Sequence, residues 1–229
     1  MRKTVLFVIL LALLTGCASG YQESGGGYTY VSWNESAGKV ELPVVGADRA
    51  TFDVLDKNGY AKDARQVYFQ GRTIEGADAV TFVRLSELYG KDASRVYYQG
   101  KVVPGADPNS FDVFNLQWGR DANDIYIQDR PLEACDPATF EMLKDSWQKD
   151  SRCAYREGRK VANADAATFE VLNFWFAKDR YHAYDNLTRV IEGADAATFK
   201  LRKGICQVCA QDKNNCYSYE KVVPCEEQK

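Results

Sequence analysis

The sequence predicts an α+β fold in which one unit of about 29 residues is repeated along most of the chain. The first observation is a Gly-Ala-Asp-x-x-Thr-Phe element whose aspartate recurs every 29 or 30 residues, at Asp48, Asp78, Asp107, Asp136, Asp165 and Asp195. The second is a basic residue followed by an aspartate and then a tyrosine, at Asp63–Tyr68, Asp92–Tyr97, Asp121–Tyr126, Asp150–Tyr155 and Asp179–Tyr184. Such regularity is typical of stacked repeat arrays.

Each copy is predicted to open with a short helix. The six aspartates of the first element stand at helix N-cap positions, and a Ser or Thr follows three residues later. Pro108 and Pro137 would occupy the first helical position, where a missing N–H is tolerated. The following phenylalanine and aliphatic residues, as in Phe82-Val83, would supply the apolar face of the helix.

A β-hairpin is predicted to follow the helix. Val96-Tyr97-Tyr98 and Lys101-Val102-Val103 read as two short strands, and Gln99-Gly100 is a tight-turn signal between them. The aspartate of each basic-Asp pair is expected to bond nearby backbone N–H groups in a turn. One helix and one hairpin cannot bury their apolar faces alone, so we expect the copies to stack into a single domain.

The two ends of this domain differ from its middle. We place the domain at residues 28–229, with a leading half-copy at 28–45 and six copies from 46 to 225. In the half-copy, Tyr28–Val31 is expected to pair with Lys39–Leu42 as a hairpin. The last copy has Gln211-Asp212 in place of the basic-Asp pair and is rich in cysteine, which predicts a disulfide-stapled cap.

The N-terminus reads as an export signal. Residues 1–16 begin with Arg2 and Lys3 and continue with an apolar run too short to span a bilayer as a mature helix. They end in Leu14-Thr15-Gly16-Cys17, which resembles the bacterial lipobox. The resemblance implies a lipoprotein signal peptide and a diacylated Cys17 that anchors the protein to the membrane.

The segment after the lipobox refines the expected location. Residues 17–27 read as a lipid-anchored, flexible tether that ends in three glycines. Ala18 and Ser19 lack the aspartate that commonly retains such proteins in the inner membrane, which favours the outer membrane within the cell envelope.

Six further cysteines are disulfide candidates in an exported chain: Cys135, Cys153, Cys206, Cys209, Cys216 and Cys225. Cys135 and Cys153 form a plausible pair, because one would lie at the entry to the fourth helix and the other on the following strand. Cys206 and Cys209 have the spacing of a thiol oxidoreductase motif, but they fall late in a predicted helix within the cap. Structural disulfides are therefore the favoured prediction.

The recurring elements carry a resemblance to a known family. Gly-Ala-Asp-x-x-(Ser/Thr)-Phe, Lys-Asp and Val-Tyr-Tyr-x-Gly-Lys-x-Val are similar to the DKNYY repeat family, which occurs in exported bacterial proteins. The resemblance covers roughly residues 46–225. It implies a repeat fold and export, and it brings no established activity.

Little in the sequence points to catalysis. His182 is the only histidine, and we assign it to a packed or edge-strand position beside Tyr184, matching Val96 and Ile125. The periodic aspartates have local structural roles, and calcium binding by them would be opposed by the neighbouring Lys or Arg. Trp118, Trp147 and Trp175 are expected near the ends of successive helices, packing between copies. No metal or cofactor is predicted.

These observations favour a non-enzymatic lipoprotein that presents a repeat surface to another envelope protein, in an immunity-like or envelope-stress role. The alternative is a module that binds glycan or peptidoglycan, and thiol–disulfide exchange at Cys206 and Cys209 is less favoured. Loss of Arg2 and Lys3 with the signal would reduce the 29 basic residues to 27 against 32 acidic ones. Such an acidic balance gives no reason to expect a nucleic-acid partner.

Overall fold

The computed structural model describes residues 19–202, 204 and 209–225. Within those residues the regular structure is β-strand, apart from two three-residue 3₁₀ turns at Pro137–Thr139 and Lys144–Ser146. The α+β prediction is therefore wrong. Each repeat is a small antiparallel meander, and no described element is a helix long and apolar enough to cross a membrane.

The described strands form seven antiparallel sheets, one for each unit of the chain. The N-terminal sheet and the first two copies contain β1 Gly20–Ser24, β2 Gly27–Asn34, β3 Gly38–Pro43; β4 Asp53–Val54, β5 Tyr60–Lys62, β6 Val67–Phe69, β7 Arg72–Thr73; β8 Val83–Arg84, β9 Tyr89–Lys91, β10 Val96–Tyr98, β11 Lys101–Val102. The third and fourth copies contain β12 Asp112–Asn115, β13 Trp118–Arg120, β14 Ile125–Ile127, β15 Arg130–Pro131; β16 Glu141–Met142, β17 Trp147–Lys149, β18 Ala154–Arg156, β19 Arg159–Lys160. The fifth and sixth contain β20 Glu170–Val171, β21 Phe176–Lys178, β22 Ala183–Asp185; β23 Lys200–Leu201, β24 Cys209–Gln211, β25 Cys216–Ser218, β26 Lys221–Val223.

The first strand of each copy occupies the place predicted for a helix. In the second copy Val83 and Arg84 pair with Lys91 and Gly90 of the second strand. This extended path lays the ring of Phe82 over Gly90, where an added Cβ would come within 2.4 Å of the phenylalanine Cζ. Close contact between a ring and the facing strand requires an extended chain at this point, so the segment is a strand.

The six aspartates expected to be helix N-caps are also reassigned: Asp48, Asp78, Asp107, Asp136, Asp165 and Asp195 open turns rather than helices. At Asp48 the carbonyl oxygen accepts the N–H of Thr51 at 3.1 Å, and Oδ1 accepts the N–H of Ala50 at 3.1 Å. Asp136 precedes the 3₁₀ turn and makes no side-chain cap to it. An Asp-x-x-Thr spacing satisfies a turn as well as a helix N-cap, which explains the error.

The predicted hairpins are confirmed. Tyr97 pairs with Val102 and Tyr98 with Lys101, and Gln99 and Gly100 both have positive φ, at 49° and 76°. Two positive φ values in a two-residue loop are typical of a type I′ turn, whose twist matches that of the flanking strands.

The N-terminal hairpin is also confirmed, since Tyr30 of β2 pairs with Leu42 of β3. The flexible tether assigned to residues 17–27 needs correction, because β1 (Gly20–Ser24) pairs with β2 along its whole length. Tyr21 on β1 is buried and packs on Tyr30. Burial of the Tyr21 ring stabilises β1, so the folded domain includes Gly20–Ser24. Residues 1–16 and Cys17 lie outside the described residues.

The core is a series of aromatic trios, one at each junction between units. The phenylalanine of a copy packs between the ring that opens the preceding copy's second strand and the tyrosine of its own third strand. Phe82 lies 5.3 Å from Tyr60 and 6.0 Å from Tyr97, measured between ring centroids. The trio recurs as Tyr89–Phe111–Tyr126, Trp118–Phe140–Tyr155, Trp147–Phe169–Tyr184 and Phe176–Phe199–Tyr217. At the first junction Tyr21 of β1 takes the place of the second-strand ring and forms the trio Tyr21–Phe52–Tyr68. Each copy is therefore buried by its neighbours.

Disulfides are present as predicted. Cys135 and Cys153 form the expected bond, with Cα atoms 6.0 Å apart, and Cys216 is bonded to Cys225 in the last copy. Cys209 is also disulfide-bonded, while Cys206 lies outside the described residues. The cap at the C-terminal end is therefore stapled.

Replacing one ring of a trio is expected to destabilise the array strongly. Phe82→Ala removes a ring that is 3% exposed and should lower the free energy of unfolding by about 3–5 kcal/mol. Val80→Ala, in the same turn but 81% exposed, is the matched control and should change it by less than about 0.5 kcal/mol. Urea unfolding followed by tryptophan fluorescence measures both. Equal effects of the two variants would contradict the trio as the packing unit.

Candidate functional site

The aspartates of the basic-Asp pairs are buried and fully engaged. Oδ1 of Asp63 accepts the N–H groups of Arg65 and Gln66 at 2.7 and 2.8 Å. Oδ2 accepts the N–H of Asp48 at 2.9 Å and the hydroxyl of Tyr68 at 2.8 Å. The predicted turn role is confirmed, and the same carboxylate also holds the Gly-Ala-Asp turn and the tyrosine.

This network is repeated in all six copies, at Asp63, Asp92, Asp121, Asp150, Asp179 and Asp212. Each of these carboxylates already accepts hydrogen bonds from two turn N–H groups, one further backbone N–H and one tyrosine hydroxyl. Such carboxylates have a structural role, since their oxygen atoms already accept hydrogen bonds from groups within the fold. Among the described residues no group of three or more His, Cys, Asp or Glu side chains is placed to hold a metal ion.

The lysines beside Asp63, Asp92 and Asp179 have a role that the sequence did not reveal. Lys62 Nζ donates to the carbonyl oxygens of Ala79 and Phe82 in the next copy, at 3.0 and 3.1 Å. Lys91 donates to Pro108 O at 2.7 Å, and Lys178 donates to Phe199 O at 3.1 Å. The aspartate thus closes a turn of its own copy while the lysine holds a turn of the following copy.

His182 and the tryptophans differ in detail from their predicted places. His182 is half-exposed and lies in the turn before β22, at the position of Arg95 and Asp124 rather than of Val96 and Ile125. Trp118 and Trp147 open second strands instead of ending helices. Their packing on the next copy is confirmed by their contacts with the phenylalanines of the trios.

One end of the sheets is built differently from the other. The turns that join the first strand to the second, and the third to the fourth, lie together at the end we call the hairpin face. In the third copy these turns are residues 116–117 and 128–129, and in the fourth they are 143–146 and 157–158. The Asp–Tyr network lies at the opposite end, so residues on the hairpin face are free to vary between copies.

In the first two copies a tyrosine hydroxyl makes hydrogen bonds to the next copy at the hairpin face. Tyr60 OH donates to Leu88 O at 2.8 Å, and Tyr89 OH bonds Gln117 O and Gln128 O at 3.0 and 2.9 Å. Trp118 replaces this tyrosine in the third copy. An open cleft of about 390 Å³ lies there, between the third and fourth copies.

The fourth copy departs from the repeat around this cleft. Gln148 is 1% exposed at a position where the other copies have Ala61, Gly90, Gly119, Ala177 and Ala210. Asp145 and Ser146 are both left-handed, with φ of 58° and 62°. On the other side of the cleft, β12 carries a register shift between Val113 and Asn115. Bulges and left-handed non-glycine residues concentrate at functional sites.

A second departure lies on the hairpin face of the last two copies. Phe174 and Trp175 occupy the turn before β21, and Tyr219 occupies the left-handed turn position, with φ of 52°, that Gln70, Gln99 and Gln128 hold in earlier copies. The centroid of Trp175 lies 5.0 Å from that of Phe174 and 5.1 Å from that of Tyr219. We call Phe174, Trp175 and Tyr219 the aromatic patch.

Charged groups border the aromatic patch. The Arg156 guanidinium lies 4.4 Å from the centroid of Phe174 and donates to Asp145 O at 2.7 Å. Burial lowers the pKa of Arg156, and this effect outweighs the negative charges of Glu157 and Asp145, which raise that pKa. Arg189 pairs with Asp185 at 2.6 Å and with Glu220 at 3.5 Å. Phe174 and Tyr219 remain 41% and 44% exposed, so the patch offers aromatic surface framed by charges.

Comparison with known proteins gives the family. The model of the DKNYY family matches residues 14–101 and 89–221, which together cover most of the chain. The chain belongs to the DKNYY family. No curated protein and no solved structure matches it.

The Asp–Tyr network predicts a loss of stability at both extremes of pH. Burial alone would raise the pKa of Asp92. The hydrogen bonds from Tyr97 and from backbone N–H groups have a larger, opposite effect and lower the pKa to about 2. Stability from this group is present above the unfolded pKa, near 4, and is lost as pH falls toward 2. Burial and Asp92 raise the pKa of Tyr97 to about 12, so its contribution is lost as pH rises from about 10 to 12.

Tyr97→Phe tests this network, because it keeps the ring and removes the hydroxyl. It should cost about 1–3 kcal/mol at neutral pH and weaken both the acid and the alkaline dependence of the unfolding midpoint. Tyr181→Phe, whose side chain is exposed, is the control. An unchanged pH dependence in Tyr97→Phe would refute the assignment.

Proposed function

We propose that this member of the DKNYY family is a non-enzymatic binding protein of the cell envelope, held on a membrane by lipid on Cys17, whose aromatic patch contacts a partner protein. The observation that carries the proposal is the cluster of Phe174, Trp175 and Tyr219 on the hairpin face, at turn positions where no earlier copy has an aromatic residue. Exposed aromatic residues with adjacent arginines are the composition most enriched at protein-binding hot spots.

The local structure supports a preformed contact surface. Trp175 is partly buried in the core of the last two copies. Its backbone N–H donates to Asn173 Oδ1 at 2.9 Å. Cys216–Cys225 staples the copy that carries Tyr219. Tyr219 on this stapled turn loses little conformational entropy on binding, so more of its contact energy is available for affinity.

The remaining features of the chain suit binding rather than catalysis. The buried aspartates are saturated by hydrogen bonds, and His182 contacts Asp179 and Tyr184 of its own copy. Cys209 is bonded rather than a free thiol. A scaffold whose ionisable groups serve the fold, with variable residues at one end of the sheets, matches the usual design of repeat binding proteins.

Lipid anchoring is tested by Cys17→Ala. Wild-type protein should incorporate labelled palmitate and sediment with the outer-membrane fraction, whereas Cys17→Ala should take up no label and leave the membrane fraction. Loss of two or three acyl chains removes most of the membrane affinity, since each buried methylene contributes about 0.8 kcal/mol. Thr15→Ala, which keeps the acceptor cysteine, is the control. Palmitate on the Cys17→Ala protein would disprove the assignment.

The partner surface is tested by site-specific photocrosslinking in cells. A photoreactive phenylalanine at position 219 should capture one protein, whereas the same residue at exposed Val80, in a Gly-Ala-Asp turn, should not. Tyr219→Gln, which restores the residue of earlier copies, should weaken binding of the purified partner by about 2 kcal/mol, the scale of a hot-spot residue. Val80→Ser is the matched control. The same adducts from both positions, or unchanged affinity in Tyr219→Gln, would overturn the aromatic patch as the contact surface.

A further inference from the structure

We infer that the cleft between the third and fourth copies binds a neutral sugar residue of a glycan. This site is separate from the aromatic patch and goes beyond the proposed protein contact. Its volume of about 390 Å³ falls in the range of small-ligand sites. Four features of its lining argue for a sugar: a buried amide, two further amides, balanced charge and an aromatic wall.

The buried amide is Gln148. Its Nε2 donates to Ser146 O at 2.7 Å, and its Oε1 accepts the N–H of Gly158 at 3.4 Å. These bonds orient the amide and engage one of its two N–H groups and one of its two lone pairs. The other N–H and lone pair give the cleft both a donor and an acceptor, which is what a sugar hydroxyl pair requires. Burying such a group is unfavourable unless it is hydrogen-bonded, and five copies use Ala or Gly here.

Two more amides, Asn115 and Gln117, line the opposite wall. Asn115 lies on β12 directly after the register shift between Val113 and Asn115. Amides on facing walls, both able to donate and accept, suit a ligand with several hydroxyl groups around a ring.

The charge of the cleft favours a neutral ligand. Among the described residues that line the cleft, Glu157 alone is acidic or basic, and its Oε1 lies 3.5 Å from Nη1 of Arg156. An anion would face this carboxylate with no lysine or arginine in the lining to pair with it. A cation would have to compete with Arg156 for the same carboxylate. A neutral polar ligand is neither repelled by Glu157 nor in competition with Arg156.

The aromatic wall explains why the cleft is found at this junction. Ser146 and Glu157 hold the positions of Gln117 and Gln128, whose carbonyls bind the Tyr89 hydroxyl one junction earlier. Trp118 has no hydroxyl to make these hydrogen bonds, and it lines the cleft together with Ile127 and Met142. Indole and aliphatic surface match the apolar C–H face of a sugar ring. At the next junction the Arg156 guanidinium lies over the Trp147 ring, at 5.3 Å from its centroid.

The cleft is tested by calorimetric titration of the full chain with N,N′-diacetylchitobiose and cellobiose, beside digalacturonate as an anion and spermidine as a cation. At least one neutral disaccharide should bind and change tryptophan fluorescence. Gln148→Ala restores the residue of three other copies and should weaken binding about tenfold or more. Glu157→Gln should change it less than about twofold. Val80→Ala, at a position that is 81% exposed in a Gly-Ala-Asp turn, is the control and should bind as wild type.

Trp118→Tyr is the second variant, because it restores the tyrosine of the first two copies and should close the cleft and abolish binding. Tyr219→Gln should leave sugar binding intact, which separates this site from the aromatic patch. Absence of binding by either neutral disaccharide up to about 10 mM would overturn the inference. So would wild-type affinity in both Gln148→Ala and Trp118→Tyr, or binding of digalacturonate or spermidine alone.

Discussion

The buried carboxylate of each copy is the interaction on which the rest of the structure depends. Asp63 and its five counterparts are taken out of water, at a free-energy cost that only several hydrogen bonds can offset. Each receives them from the turn that follows, from the Gly-Ala-Asp turn and from the tyrosine of the third strand. Strands of two or three residues have few backbone bonds of their own, so this network fixes where each begins and ends. Lys62 and its counterparts then tie that arrangement to the following copy.

The aspartate and lysine hydrogen bonds lie at one end of the sheets, so residues at the other end, the hairpin face, can vary between copies. In a quasi-one-dimensional array a substitution affects mainly its own copy and the two neighbours. Trp118 and Gln148 can therefore open a cleft at one junction while the trios on both sides stay intact. Tyr219 can replace a turn glutamine for the same reason, since its hairpin still pairs Ser218 with Lys221. Both candidate sites thus arise without loss of the repeated core.

The sequence predicted the period, the third and fourth strands, the turn aspartates and the Cys135–Cys153 bond, because each has a local or pairwise signature. It failed at the first strand, where Asp-x-x-Thr followed by Phe82 fits a helix start and a turn equally well. A two-residue strand such as Val83–Arg84 is too short to show alternation, and its ring contact with Gly90 depends on the facing strand. The cleft depends on two residues from different copies. Alignment of the copies marks Gln148 and Tyr219 as exceptions, but their surroundings follow only from the stacking.

The disulfide within the fourth copy has a physical explanation in the same terms. Asp136 makes no side-chain cap to its 3₁₀ turn, and Ser146 has a left-handed backbone, with φ of 62°, that side chains other than those of asparagine and aspartate disfavour. Both features weaken this copy relative to its neighbours. Cys135–Cys153 joins its first turn to the turn before its third strand across a sequence separation of 18, and closing a loop of that size stabilises a fold by roughly 3 kcal/mol. The bond thus stabilises the copy that carries Gln148. It lies at the end of the sheet opposite to the hairpin face, so it does not obstruct the cleft.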